Sequence, residues 1–318
     1  MERNECATIL DTLDRYQGSE KIALICGEEE LSYRELVADA KHIARGLMAE
    51  GVKKGDRVLF SMHRRADAIR ALLGILYAGA SYVAADPDWP RERLDFVEQD
   101  ARTVFLMTDE SCRRLREREP SSWELPEVRG EDEAAIYYTS GSTGQPKGAV
   151  LCHIALVSPF LDAAFDELAW ETYLVNSKLT FVVAGINFFT AFSRGKTILF
   201  STESEHSSLD LLAAFMERHH ADGIHSMPSV FLRFLENPSF ARAFSKLKFV
   251  VVSGEMILPS VAEKISRATK GALLIDYGTT ETFHCTIYPY RNDEKIHMGN
   301  AAYGTRLHIL NEALEEIS

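Results

Sequence analysis

Short apolar runs alternate with helical patterns along most of this chain, and that alternation limits the folds open to it. The runs at 58–61, 82–85, 103–107, 135–138, 173–175, 197–200, 248–252 and 272–275 are strand candidates. Between them, Ser32 and Glu35 form a capping box that opens a helix running to about Gly51. A second helix is predicted over 66–78, closed by Gly79, and a third begins at Pro90. Others are predicted over 209–220, 229–235 and 259–269. Such alternation calls for parallel sheets covered by helices on both faces, an α/β fold. At 318 residues the chain can build two layered lobes rather than one core.

The run at 134–138 leads into YTSGSTGQPKG at 138–148. Glycines admit positive φ, so successive N–H groups converge on one point, and the hydroxyls and one ammonium add donors. A strand entering such a loop suits a polyphosphate. It is not a Walker loop, because Lys147 is followed by Gly148 rather than Ser or Thr. The formal net charge of −12 argues against nucleic acid or an anionic membrane as partner, so an anionic nucleotide has to be held by local donors. The stretch 71–85 is too short to span a bilayer, and the acidic N-terminal residues do not read as a signal peptide. Five scattered cysteines (Cys6, Cys26, Cys112, Cys152, Cys285) without a CxxC point to a reducing compartment, and a cytoplasmic location is expected. The polar segment 112–133 reads as a solvated helix and surface loop.

The loop resembles the phosphate loop of the adenylate-forming superfamily, and further segments resemble peptide synthetase adenylation domains in the same order. These are LSYREL at 31–36, LYAGASYV at 76–83, YGTTE at 277–281, Met298-Gly299 and TRLHIL at 305–310. The resemblance implies two doubly wound sheets, with lobe one over about 55–176 and lobe two over about 1–54 plus 177–290. Residues 291–318 would start an incomplete β-barrel, with 306–310 as a strand. It also implies ATP-dependent attack of a carboxylate on the α-phosphorus, with Mg²⁺, release of pyrophosphate, and transfer of the acyl group to a pantetheine thiol on a carrier protein or CoA.

The roles carried over are these. Thr139, Ser140, Gly141, Ser142, Thr143, Gly144 and Lys147 would hold the β- and γ-phosphates. Thr280 would bond the α-phosphate, and Glu281 would bind Mg²⁺. Tyr277 would stack on adenine beside Gly278, with Ser253, Gly254 and Glu255 lining the adenine slot. Relatives often carry Asn two places before the tyrosine. Here that place is Ile275, so the adenine amino group either goes without a side-chain partner or meets Asp276 instead. The family's acid-pocket segment aligns with 180–186, and its aspartate, which pairs the α-ammonium of amino acids, falls on Val182. The pocket would be lined by Val182, Val183, Ile186, His225, Val251, Ser253, Asp276, His284 and Cys285. A keto, hydroxy, aryl or acyl acid is expected rather than an ordinary α-amino acid, and an amine elsewhere on the acid would meet Asp276.

The resemblance ends before the family's mobile C-terminal lid, so the chain reads as truncated, binding nucleotide with little turnover unless a lid is supplied in cis or in trans. Two alternatives stay open: an acyl-CoA ligase, and a non-catalytic nucleotide-binding or interaction module. Metal or thiol chemistry at Cys152-His153 and His284-Cys285 is not expected, since neighbours on a strand point to opposite faces. His219-His220 are read as capping a helix C-terminus.

Overall fold

The computed structural model describes residues 8–119, 122–139, 146–157, 163–291, 295–302 and 305–317. In chain order the first elements are α1 (Ile9–Asp14), β1 (Ile22–Cys26), β2 (Glu29–Ser32), α2 (Tyr33–Ala49), β3 (Arg57–Phe60), α3 (Ala66–Tyr77), β4 (Ser81–Ala84) and α4 (Arg91–Ala101). There follow β5 (Phe105–Met107), α5 (Asp109–Arg116), β6 (Glu133–Thr139), β7 (Lys147–Cys152), α6 (His153–Val157), β8 (Thr172–Val175), α7 (Val182–Ser193) and β9 (Thr197–Phe200). The last are α8 (Glu203–Ser207), α9 (Leu209–Arg218), β10 (Gly223–Ser226), α10 (Pro228–Phe234), α11 (Pro238–Phe244), β11 (Phe249–Val252), α12 (Pro259–Ala268), β12 (Ala272–Tyr277), β13 (Thr286–Pro289) and β14 (Asn300–Ala301). The capping box at the start of α2 is present in both directions between Ser32 and Glu35.

Two sheets form. One has nine strands in the order β14-β13-β12-β11-β10-β8-β9-β1-β2, the other five in the order β5-β3-β4-β6-β7. The inner strands of both are parallel, and β1–β2, β6–β7, β12–β13 and β13–β14 are antiparallel. Strands β1 and β2 also belong to the larger sheet, so the chain leaves it between Ser32 and Arg57 and returns to it between Cys152 and Thr172, where β8 pairs with β9 and β10.

Burial alternates across each sheet. Val58 and Phe60 of β3 join the core between the two sheets with Val175, Phe200 and Val251, while Leu59 faces the other way onto Val97 of α4. Val250, Val252 and Leu273 likewise point out of the larger sheet into a second core under α9 to α12. Because both faces are covered, these strands read as continuous apolar runs. Helices α1, α2, α3, α5, α6 and α7 contribute to the central core, giving helix, sheet, helix, sheet and helix layers.

The structure departs from the sequence expectations in four places. Residues 306–310 do not form a strand; only Leu310 bridges to Glu316, and the side chains there are exposed. Helix α5 is not wholly solvated, since Cys112 and Leu115 are buried in the central core. Cys152 ends β7 while His153 opens α6, so the two do not share a strand. The end of α9 is closed by the backbone N–H of His219 on Phe215 O, with the imidazole lying against the Phe215 ring. Among the described residues no helix is long and apolar enough to cross a membrane.

Candidate active site

The larger sheet reverses its winding between β8 and β10, which are neighbours although β9 intervenes in the chain. Open α/β sheets bind ligands at the carboxyl ends of strands beside such a reversal. A cavity of about 440 Å³ lies there, reaching from Thr139 at the end of β6 to Ser226, Gly254 and Thr280, with Val182 and Val183 on its wall. A second cavity of about 390 Å³ adjoins it through Tyr138, Phe181 and Met227, and extends to Trp89, Arg93 and Phe234.

Three local structures build this cleft. Thr139 and Lys147 are paired across the β6–β7 hairpin, which fixes both ends of the glycine-rich loop. Ser140, Gly141, Ser142, Thr143 and Gly144 lie outside the described residues. Lys147 is exposed at the start of β7. The second structure is the turn between β12 and β13. Gly278 is needed there, because a Cβ would stand 2.0 Å from the carbonyl oxygen of Phe283. The Thr279 N–H donates to Thr282 Oγ1 at 3.0 Å and the Phe283 N–H to Thr279 O at 2.8 Å. Thr280 thereby faces the cleft, while Tyr277 and Glu281 are exposed at its edge.

The third is the segment from β8 to α7. Arg64, buried against the Phe200 ring, donates to Val175 O at 2.7 Å, Ser177 O at 2.6 Å and Ser201 O at 2.8 Å. Burial lowers its pKa to about 10, which leaves it a cation at neutral pH. Lys178 reaches across to Asp86 at 2.9 Å. Helix α7 then starts at Val182 and packs closely on β6, because a Cβ on Gly185 would stand 2.7 Å from Tyr137 Oη.

Beneath the cleft, α7 covers a polar patch on the larger sheet. His225 has Nδ1 2.9 Å from Asn187 Oδ1 and Nε2 2.7 Å from Ser253 Oγ. An amide oxygen only accepts, so the imidazole proton sits on Nδ1 and Nε2 accepts from the Ser253 hydroxyl. Burial pushes the His225 pKa down to about 4, against the pull of Asp276, so the ring is neutral at pH 7. His284 Nδ1 donates to Asp276 Oδ1 at 2.6 Å. All five side chains are buried.

Val251 is in the central core, Ile186 is buried on α7, and Cys285 is buried beside His284. Ile275 points to the opposite face of its strand and packs in the second core, so it does not face the pocket. Glu255 is exposed and accepts from the Ser229 hydroxyl at 2.9 Å. Asn187 was not anticipated from sequence; its signal is a lone amide in the apolar run VVAGINFFTAF.

The family model for AMP-binding enzymes matches residues 13–318. The chain belongs to the AMP-binding enzyme family. This AMP-binding enzyme is 27% identical over 323 residues to tyrocidine synthase 3 of Brevibacillus parabrevis, covering 93% of the chain and 5% of that protein. It is 27% identical over 318 residues to bacitracin synthase 3 of Bacillus licheniformis, covering 93% of the chain and 5% of that protein. The chain thus spans a small part of these relatives. Its fold superposes on the Klebsiella oxytoca NpsA N-terminal subdomain in complex with 3-hydroxyanthranilyl-AMSN, with TM-score 0.88, 21% identity, and 98% of this chain and 83% of that chain covered. The same subdomain in complex with anthranilyl-AMSN gives TM-score 0.88 at 22% identity, covering 96% of this chain and 84% of that chain.

Proposed function

We propose that the cleft converts a carboxylic acid lacking an α-amine into its acyl-adenylate, which then passes to a pantetheine thiol on a carrier protein. A carboxylate oxygen of the acid bonds to the α-phosphorus of ATP, the bond from that phosphorus to the β-bridging oxygen breaks, and pyrophosphate leaves. Thr139, Lys147 and the loop between them would hold the leaving phosphates, and Thr280 would donate to the α-phosphate. Glu281 would hold Mg²⁺, whose hard-oxygen preference suits one carboxylate plus phosphate oxygens and water. The described residues contain no group of three or more His, Cys, Asp or Glu able to hold a metal unaided, so the phosphates would supply the remaining ligands. The matched NpsA-ThdA structure, an artificially fused adenylation–PCP di-domain, supports a carrier protein over CoA as acceptor. The aryl groups in the matched NpsA complexes agree with an acid of this kind.

The observation that carries the substrate reading is Val182. It opens α7 and lines the cavity at the position where the resemblance places the aspartate for the α-ammonium. An ammonium brought there without a partner loses about 3–5 kcal/mol, a factor of hundreds or more in affinity. The test is calorimetric titration of this chain with non-hydrolysable adenylate analogues that differ only in the α-amine, 3-phenylpropanoyl against L-phenylalanyl. The 3-phenylpropanoyl analogue is expected to bind at least a hundredfold more tightly. Tighter binding of the L-phenylalanyl analogue overturns the substrate reading, and no saturable heat with either analogue overturns the site itself.

A further inference from the structure

The two sides of the acid pocket can be placed against each other from register alone. Val252 is level with Ser226 on β10 and with Ile275 on β12, so Ser253 and Asp276 lie side by side one residue beyond them, at the cleft end of the sheet. His225 is level with Val251, two residues deeper than Ser253. On the covering helix, Asn187 meets His225, and Val183 stands one turn nearer the cleft. One helical turn rises about 5.4 Å and two strand residues about 6.6 Å, so Val183 stands at about the level of Ser253 and Asp276. Val183 lines the cleft cavity from the helix side, and Asp276 carries a carboxylate on the sheet side.

That carboxylate is half satisfied. Oδ1 of Asp276 accepts from His284, while Oδ2 lies 3.8 Å from His225 Nε2, beyond hydrogen-bond distance. His225 cannot fill the gap as a donor at neutral pH, because its one ring proton is directed at Asn187 and Nε2 accepts from Ser253. The Asp276 side chain is buried as a whole, and among the described residues no donor lies within hydrogen-bond distance of Oδ2. A carboxylate oxygen in such a place gains most from an N–H brought by a ligand.

We propose that Asp276 determines specificity by accepting from an amino group that the substrate carries away from its α-carbon, on an aromatic ring or on the β-carbon. The inference rests on the adenylation reading above and names the substrate class of that site. Ser253 and His225 are positioning residues that hold the pocket wall, and Asn187 sets the tautomer that keeps His225 from occupying Oδ2.

The experiment compares adenylate analogues in pairs by calorimetry on this chain: 2-aminobenzoyl and 3-aminobenzoyl against benzoyl, and 3-amino-3-phenylpropanoyl against 3-phenylpropanoyl. At least one amino analogue is expected to bind tenfold or more tightly than its partner, the ratio appropriate to one hydrogen bond to a charged group. In Asp276→Ala the preference for the amino analogue over its amine-free partner is expected to fall below twofold. Amino and amine-free analogues binding alike in the unmodified protein overturns the role of Asp276 and leaves the adenylation reading standing. Preference for L-phenylalanyl, or no binding of any analogue, removes that reading and this inference together. The comparison in the unmodified protein decides even if Asp276→Ala fails to fold, and an amino preference that survives in a folded Asp276→Ala also overturns the assignment.

Discussion

Arg64 is the side chain whose removal should tell most about how the cleft is held. Its guanidinium lies within 2.6–2.8 Å of three backbone carbonyls, those of Val175, Ser177 and Ser201, and also reaches the Ser201 hydroxyl at 2.8 Å. Arg64→Met keeps most of the aliphatic stem and removes every donor. Each buried carbonyl deprived of its partner costs about 1–3 kcal/mol. Relief from desolvating the cation, and the second lone pair left on each oxygen, place each loss near the lower end of that range, so the sum is about 3–4 kcal/mol. Arg64→Lys keeps one charge, but an ammonium cannot span three diverging oxygens, and about half the loss is expected. Equilibrium urea denaturation followed by circular dichroism would measure both, read as a lower midpoint at constant slope. An Arg64→Met midpoint equivalent to less than about 1 kcal/mol of destabilisation would refute the reasoning, because it would mean that the three carbonyls find other partners at no cost.

Two other perturbations have signed outcomes. His153 is fully buried, and desolvation pulls its pKa down to about 4, only partly offset by Asp132 and Asp11. A histidine that stays neutral in the folded state but protonates near 6.5 when unfolded makes stability fall as pH drops from about 6.5 to about 4. The loss approaches about 3 kcal/mol over that window. Urea midpoints measured across it should show a shallower decline for His153→Phe than for the unmodified chain, and equal slopes would argue against the buried neutral ring. Gly278→Ala has no room for its methyl against the Phe283 carbonyl, so the β12–β13 turn must open. Binding of magnesium-ATP, read by calorimetry, should weaken at least tenfold, and unchanged affinity would show that the turn does not shape the nucleotide site.

The parallel strands and the helix starts were legible because each depends on nearby residues. Ser32 and Glu35 are three positions apart, and β3, β4 and β11 are short apolar runs bounded by polar or turn residues. Helix α7 was not separated from its flanks, because Val182–Ser193 is apolar around most of its circumference and shows little periodicity. Strand β7 escaped notice for a different reason: Lys147, Gly148 and Val150 are exposed and only Leu151 is buried, so no alternating signal survives. At 306–310 the resemblance implied a barrel strand, for which the described residues supply one bridge and no ladder. Within the candidate site, the residue types were visible but their grouping was not. Asn187 and His225 are 38 positions apart, and Ser253 and Asp276 become neighbours only through the register of β11 and β12. A local pattern cannot encode that proximity.

The shared middle layer has a consequence for how the chain comes apart. Side chains from both sheets and six helices interlock in one continuous apolar body. Severing the polypeptide between Cys152 and Thr172 would strip each half of the surface that completes it. The two lobes should therefore melt in a single transition, and neither should persist as an autonomous fold. Movements that open the cleft have to come from strand-end turns and from whatever docks over them, because a hinge between the sheets would tear that body apart.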